Sequence, residues 1–142
     1  MNAAAKPYRV TGWHSTYGTG QFMSITAVQD STTVTVKLAA SGKVLAGTGV
    51  AAINGGATGT YTLNQGDVLQ LASLDSGILG GNDVDPTGTL IKADKAVQVI
   101  AGDFCTTNPS GAGACDHVEE SVFPAETLGK HYLVSAPPGP AG

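Results

Sequence analysis

The sequence predicts an all-β protein: an antiparallel β-sandwich or jelly-roll-like double sheet of roughly seven to nine strands, with one disulfide-closed loop. Three observations support this fold class. Short segments of alternating apolar and polar residues recur along the chain. The chain contains 20 glycines, which suit frequent turns. Charged residues make up only 13% of the sequence, so the Glu, Lys and Arg that cover helix surfaces are scarce.

The predicted strands follow one another along the whole chain. The most regular alternation lies in residues 33–38, where Val34 and Val36 share the inward face. Residues 39–59 are rich in Ala and Gly and predict a loose strand with long loops. The other strands are predicted at residues 8–14, 22–28, 61–64, 68–71, 87–93, 96–104, 118–123 and 131–135.

Turn residues between successive strands predict that these strands pair as neighbours. The clearest hairpin joins the strands on either side of Gln29–Thr32. The turn Gln65-Gly66-Asp67 predicts a second pair, because Gly accommodates a positive φ in a short connection. Asp94-Lys95 predicts the turn of a third pair.

Two cysteines, Cys105 and Cys115, predict a disulfide. The nine residues between them include one Pro and two Gly, which allow the chain to double back. Closing so short a loop contributes about 2–3 kcal/mol in the loop-entropy model. A disulfide indicates an oxidising compartment, so we expect a secreted or cell-surface protein. A zinc site formed by both thiolates and His117 is the alternative, although metal sites more typically use Cys-x-x-Cys.

Charge and hydropathy exclude several classes of partner. The net charge is −4 and the seven basic residues are scattered, so the sequence lacks the basic stripe of a nucleic-acid-binding protein. No apolar run approaches the roughly 18–20 residues of a membrane-spanning helix. Residues 1–142 are predicted to form one domain. Within it, residues 1–7 form an N-terminal arm, 8–135 the sandwich, and 136–142 a Pro/Gly-rich tail or linker.

The two ends of the chain share a short pattern. Tyr132-Leu133-Val134-Ser135-Ala136 is similar to Tyr8-Arg9-Val10-Thr11-Gly12. This similarity predicts that the chain is one unit of a repeat, with the next unit beginning near residue 131.

Four motifs occur in a characteristic order. They are residues 25–36, residues 61–71, residues 88–102, and the run from Cys105 to Cys115-Asp116-His117, followed by Phe123-Pro124 and Gly129-Lys130-His131-Tyr132. In this order they resemble the N-terminal domain of the IgGFc-binding protein family, of the type found in bacterial surface proteins. The resemblance spans roughly residues 20–135, about half of the longer family domain. The family often has a Gln shortly after the His, whereas this chain has Glu119-Glu120-Ser121. The resemblance implies an extracellular β-rich adhesion or matrix role.

Asp116 and His117 follow directly after the second cysteine. We expect them to hydrogen-bond the loop backbone and hold the disulfide corner in shape. A hydrolase centred on Asp116 and His117 is the minor alternative, because His can act as a general base. No oxyanion-hole motif accompanies a nucleophile such as Ser121.

Two further groups are candidate ligand-binding residues. Asp75, Asn82, Asp83 and Asp85 carry the oxygen ligands that calcium prefers, but they lack the full calcium-loop pattern, so we expect no cofactor. The aromatic side chains near the start could stack on a sugar or anchor a protein, although core packing is the simpler expectation. These candidate residues are Trp13, His14 and Tyr17.

Together these observations predict a non-catalytic extracellular module with a structural or adhesive role. One version is a fibre subunit whose terminal arm exchanges strands with a neighbouring copy or repeat. The alternative is an adhesin domain that recognises a glycan or protein.

Overall fold

The protein is all-β in the computed structural model, which describes residues 6–12, 20–73, 84–107 and 113–135. These residues form ten strands and one short 3₁₀ helix, η1. The strands are β1 Lys6–Arg9, β2 Gln21–Ala27, β3 Thr32–Lys37, β4 Lys43–Val44, β5 Ile53–Asn54, β6 Thr58–Leu63, β7 Val68–Ala72, β8 Leu90–Ala93, β9 Val97–Thr106 and β10 Asp116–Ser121, and η1 is Ala125–Thr127.

Two four-stranded antiparallel sheets form an open sandwich, as predicted. The β3 sheet has the order β1-β8-β3-β6, and the β2 sheet has the order β10-β9-β2-β7. A two-stranded ribbon, β4-β5, is the third sheet among the described residues. Tyr8 links the two large sheets, because its hydroxyl donates a hydrogen bond of 2.8 Å to the Val97 carbonyl.

The three predicted strand pairs are wrong in their pairing. Each predicted turn leads from one sheet to the other, so β2–β3, β6–β7 and β8–β9 are arches rather than hairpins. β2 instead pairs with β7 and β9, and β3 pairs with β6 and β8. Alternation of apolar residues indicates which face of a strand is buried and leaves its hydrogen-bonded neighbour undetermined.

The three arch turns are held to one another at one end of the sandwich. The Asp30 Oδ1 accepts a hydrogen bond of 2.9 Å from the Gln65 N–H. The Asp94 Oδ1 accepts one of 2.8 Å from the Thr33 N–H. The Lys95 ammonium donates to the Asp30 carbonyl at 2.6 Å. The polar residues that predicted turns therefore satisfy backbone groups of neighbouring arches.

The core lies between the two sheets and is built from the alternating apolar positions. Ile25, Val34, Val36, Leu71 and Ile91 are completely buried. Burial of such aliphatic side chains contributes about 1.5–3 kcal/mol each, which makes this face the main source of stability.

Several strand boundaries differ from the predictions. β1 begins at Lys6 and ends at Arg9, whereas residues 8–14 were predicted. The loose region 39–59 contains β4 and β5. The strand predicted at 131–135 is wrong, since these residues are exposed and belong to no strand. The tail at 136–142 lies outside the described residues.

Candidate functional site

The disulfide corner joins the ends of β9 and β10. Cys105 and Cys115 form the predicted disulfide, with their Cα atoms 5.1 Å apart. The Asp103 Oδ1 accepts a hydrogen bond of 2.8 Å from the Cys105 N–H, and the Asp103 side chain is completely buried. β9 and β10 then pair antiparallel, with an irregularity in register between Asp116 and Val118. The disulfide therefore closes a true hairpin within the β2 sheet.

An aromatic stack covers this corner. The ring centroids of Phe22 and Phe104 are 4.9 Å apart, and those of Phe22 and His117 are 5.7 Å apart with nearly parallel planes. Phe22 is buried, whereas Phe104 and His117 are partly exposed. His117 thus adds a ring contact to the corner, and no feature of the sequence predicted it.

His117 also lies beside a carboxylate. Its Nε2 is 3.4 Å from the Glu119 Oε2, and both side chains are half exposed. Asp116 is exposed at the start of β10. Among the described residues, Glu119 supplies the polar side-chain contact of His117, and no hydroxyl or thiol lies within hydrogen-bond distance of its ring. The arrangement is an imidazole–carboxylate pair at a sheet edge, without an adjacent nucleophile in this part of the structure.

The other candidate ligand residues fall mostly outside the described residues. Trp13, His14, Tyr17, Asp75, Asn82 and Asp83 all lie there. Asp85 is described, and its Oδ1 accepts a hydrogen bond of 2.8 Å from the Thr87 N–H, which makes it part of a turn. Within the described ranges, no three His, Cys, Asp or Glu side chains come together as a metal site.

Asp85 nevertheless belongs to a group of oxygens around Gly12. A Cβ atom added to Gly12 would stand 2.7 Å from the Gln21 Oε1, 2.9 Å from the Thr87 Oγ1 and 3.2 Å from the Asp85 Oδ1. The Gln21 side chain is buried, and its Oε1 has no hydrogen-bond partner among the described residues. With the amide turned over, its NH₂ group would face these oxygens as a donor. Gln21 had no signal in the sequence.

Replacing Gln21 with Glu is expected to destabilise the protein by about 2 kcal/mol at pH 7, because a buried carboxylate would replace an amide beside the Asp85 oxygen. Burial and Asp85 should raise the pKa of the new carboxyl in the folded state. The loss is therefore absent at acid pH, where both states are protonated, and grows as pH rises. Urea unfolding at several pH values measures it. Gln70→Glu, on the exposed face of β7, is the control and should show little change. Equal losses for both variants would contradict the assignment.

One sheet edge is open and uncharged. β6 is the last strand of the β3 sheet and contains three exposed threonines. In the described part of the chain, no backbone hydrogen bond from another segment reaches its outer side. A groove of about 350 Å³ runs beside it, lined by residues that include Ile53 and Tyr61. Partial burial raises the pKa of the Tyr61 hydroxyl above its ordinary value.

The other three sheet edges differ from β6. β10 carries Glu119 and Glu120 along its length. β7 is covered at its end, where the Leu45 N–H donates to the Ala72 carbonyl at 2.9 Å. β1 is bridged by the later part of the chain through Tyr8 and Pro124. Charges and covering segments protect sheet edges from pairing with other chains, so β6 is the least protected of the four.

The segment after η1 leaves the sandwich. Residues 131–135 are all exposed, and Tyr132, Leu133 and Val134 have 65%, 105% and 92% of their surfaces exposed. Large apolar side chains so fully exposed in consecutive positions are typical of an interaction segment.

Comparison with known proteins identifies the family. A family model described as IgGFc binding protein matches residues 1–141. No curated protein and no solved structure was found to match. No helix in the described residues is long and apolar enough to cross a membrane. The family match covers nearly the whole chain and agrees with the motif order seen in the sequence. The protein therefore belongs to the IgGFc-binding protein family.

Proposed function

We propose that this protein is a non-catalytic extracellular adhesion module that joins to neighbouring copies through its C-terminal segment, so that strand exchange builds fibres. Membership of the family supports a protein-binding role. The disulfide supports an extracellular location, since such bonds persist in oxidising compartments. The observation that carries the proposal is the exposure of residues 131–135.

Residues 131–135 have the composition of a β-strand but belong to no strand in the described structure. Tyr, Leu and Val have high β-propensity, and alternate residues in an extended chain face opposite sides. Tyr132 and Val134 would then share one face, and Leu133 would lie on the other. Burying the two side chains of the shared face against another copy contributes about 1.5–3 kcal/mol each, which favours association. Head-to-tail contacts propagate into open filaments when the rotation between successive copies does not close a ring.

The assembly can be tested by changing an exposed residue on the face that Tyr132 and Val134 share. The protein is expected to show a mass that rises with concentration in light scattering, and filaments in electron microscopy. Val134→Asp should abolish both, because Val134 is 92% exposed in the single chain and a charge at its position cannot be buried in an exchanged strand without a partner. Val68→Asp is the matched control: Val68 is 60% exposed on β7 and should tolerate the same charge. A wild-type chain that stays monomeric at millimolar concentration would contradict the proposal.

The β6 edge favours a second candidate function, an adhesin domain that binds an extended segment of another protein. Its unpaired outer side and adjacent groove would accept a strand by β-addition. A glycan-binding version rests on Trp13, His14 and Tyr17, which lie outside the described residues. The Asp116/His117 hydrolase rests on the His117–Glu119 pair, which by itself supports no reaction.

Lysines on the β6 edge distinguish this second function from the first. Thr60→Lys/Thr62→Lys places two charges on the exposed face of the edge strand, where lysine prevents strand addition. If β6 binds the partner, affinity for an extracellular protein ligand should fall at least tenfold while the thermal stability stays the same. Gln70→Lys, on the edge strand of the other sheet, is the control. Unchanged affinity in the β6 variant would exclude this edge as the binding site.

A further inference from the structure

We infer that residues 130–135 are a second β1-type strand, whose binding site is the β1 position along β8 in another copy of this chain. The inference deepens the proposed function, on which it rests for the role of the segment, by naming what the segment pairs with. It depends on two observations. The same sequence pattern occurs twice in the chain, and its side chains are buried in the first occurrence and exposed in the second.

The pattern extends over six residues. Lys130-His131-Tyr132-Leu133-Val134-Ser135 aligns without gaps with Lys6-Pro7-Tyr8-Arg9-Val10-Thr11. Lys, Tyr and Val are identical, and Ser replaces the chemically similar Thr. The identical Tyr and Val are two residues apart, so they share one face of an extended strand.

In the first copy of the pattern, that face is part of the core. Tyr8 is 5% exposed and Val10 is completely buried. The Tyr8 hydroxyl donates to the Val97 carbonyl across the sandwich, and Tyr8 pairs with Ile91 of β8. The chain continues along the same segment, because the Val10 N–H donates to the Thr89 carbonyl at 3.0 Å.

In the second copy, the same residues face solvent. Tyr132 is 65% exposed and Val134 is 92% exposed. The side chains that complete the core in β1 therefore occur again on a segment that buries neither of them. A sandwich of this kind already contains a site with the matching shape, which is the site that β1 fills.

The differing positions are compatible with that site. Arg9 is exposed, and its Nη1 donates a hydrogen bond of 2.8 Å to the Gly88 carbonyl. A leucine in the same position could not form this hydrogen bond. Pro7 lacks a backbone N–H, whereas His131 has one to offer to a neighbouring strand. Most of the β1–β8 pairing uses backbone groups, so a strand with this pattern can replace β1 and regain nearly the same bonds. Exchange of equivalent elements is a low-cost route to association.

The path of the chain brings the second strand near such a site. Pro124 forms a bridge with Tyr8 at the outer side of β1, so the chain leaves the sandwich beside the β1 position. The residues from Pro124 to Lys130 can span at most roughly 20 Å. The segment can therefore reach the β1 position of a copy packed along this edge. High local concentration of copies, as in an array, would favour the exchange.

The first experiment places the second pattern in the β1 position of the full chain. The variant Pro7→His/Arg9→Leu/Thr11→Ser carries the sequence of residues 130–135 there, and Gly12 is kept because its surroundings exclude a Cβ. It should melt cooperatively within roughly 5 °C of the wild type. The control Tyr8→Arg/Arg9→Tyr moves the aromatic side chain out of register and should lose the cooperative transition. A variant that melts like this control would overturn the inference.

The second experiment supplies the strand in trans. Tyr8→Ala/Val10→Ala weakens the resident strand in the full chain, and a synthetic peptide of residues 129–135 is then added. The peptide should raise the melting temperature of this variant in a concentration-dependent manner, whereas a peptide with Tyr and Leu exchanged should not. A variant that neither peptide stabilises would overturn the inference.

These outcomes separate the inference from the proposed function. If the peptide stabilises the weakened variant but the wild type stays monomeric, the assignment of residues 130–135 as a β1-type strand is supported and the proposal of fibre assembly is contradicted. If filaments form and the peptide has no effect, fibre assembly is supported, and the segment binds a site other than the β1 position.

Discussion

Replacing Gly102 with Ala is expected to lower the free energy of unfolding by about 3 kcal/mol, at the upper end of the effects of overpacking. A Cβ at this position would overlap the Val118 carbonyl oxygen and stand 2.6 Å from the Phe22 Cζ. Neither neighbour can move freely. Val118 belongs to β10, which pairs with β9, and the buried Phe22 ring contacts the rings of Phe104 and His117.

The expected loss is a large fraction of a total stability of about 5–15 kcal/mol. Urea unfolding measures it, with an unchanged m-value indicating that the folded state keeps its compactness. The His117 ring provides a local measurement, because displacement of Phe22 would change the ring-current shift of its NMR signals. Gly47→Ala is the matched control, since a Cβ there meets no atom within 4 Å. A Gly102→Ala variant as stable as this control would show that β10 can move away from β9.

Gly102 also illustrates what the sequence could not predict. In the sequence it is one glycine of 20, within a strand whose alternation was clear. Its importance comes from Phe22, its cross-strand partner, which is 80 residues away in the chain. Gln21 is similar, because its side-chain oxygen lies near oxygens of Asp85 and Thr87, which belong to a turn far along the chain. Such contacts between distant segments have no local pattern.

The strands themselves could be predicted because their cause is local. Val34 and Val36 alternate with polar residues, and the structure buries both. The arches could not be distinguished from hairpins, since the same alternation and turn residues serve either connection. Asp30 and Asp94 marked the turns correctly, but they bind backbone groups of other turns. Local sequence therefore determined where the chain bends, and contacts between distant strands determined which sheet each strand joined.

The strand predicted at residues 131–135 has a related explanation. The run of Tyr132, Leu133 and Val134 has high β-propensity, yet a strand also requires a neighbour with free backbone groups. The described residues offer this segment no such neighbour, and β1 already occupies the equivalent position along β8. The pattern therefore predicts a segment that can pair as a strand. In the proposed exchange, β8 of another copy is the strand with which it pairs.

The candidate site could be located in part. The cysteine spacing predicted the disulfide, because a short loop containing Pro and Gly closes readily. The stacking of His117 on Phe22 was not predicted, since it requires β9 to lie between β2 and β10. The sequence thus located the disulfide corner, whereas the aromatic stack that packs against it depends on the order of the strands in the sheet.

Removal of the disulfide is the second large effect that we expect. Cys105→Ala/Cys115→Ala should lower the free energy of unfolding by about 2–3 kcal/mol, because the unfolded chain regains the entropy of a loop whose ends are 10 residues apart. The loop connects β9 to β10, which is the edge strand of the β2 sheet. We therefore expect β10 to open before the rest of the sandwich, since edge elements with few buried side chains have low local stability.

Two measurements separate the global effect from the local one. Chemical unfolding with and without a thiol reductant gives the global loss, and the reduced wild type should match the double alanine variant, which itself should not respond to reductant. Hydrogen exchange gives the local effect: amides of β10 should lose protection by more than those of β3, which lies inside the other sheet. If reduction left both the unfolding free energy and β10 exchange unchanged, the backbone pairing of β9 with β10 and the Phe22–His117 stack would by themselves hold the corner. In that case Gly102, rather than the disulfide, would be the element on which the hairpin depends.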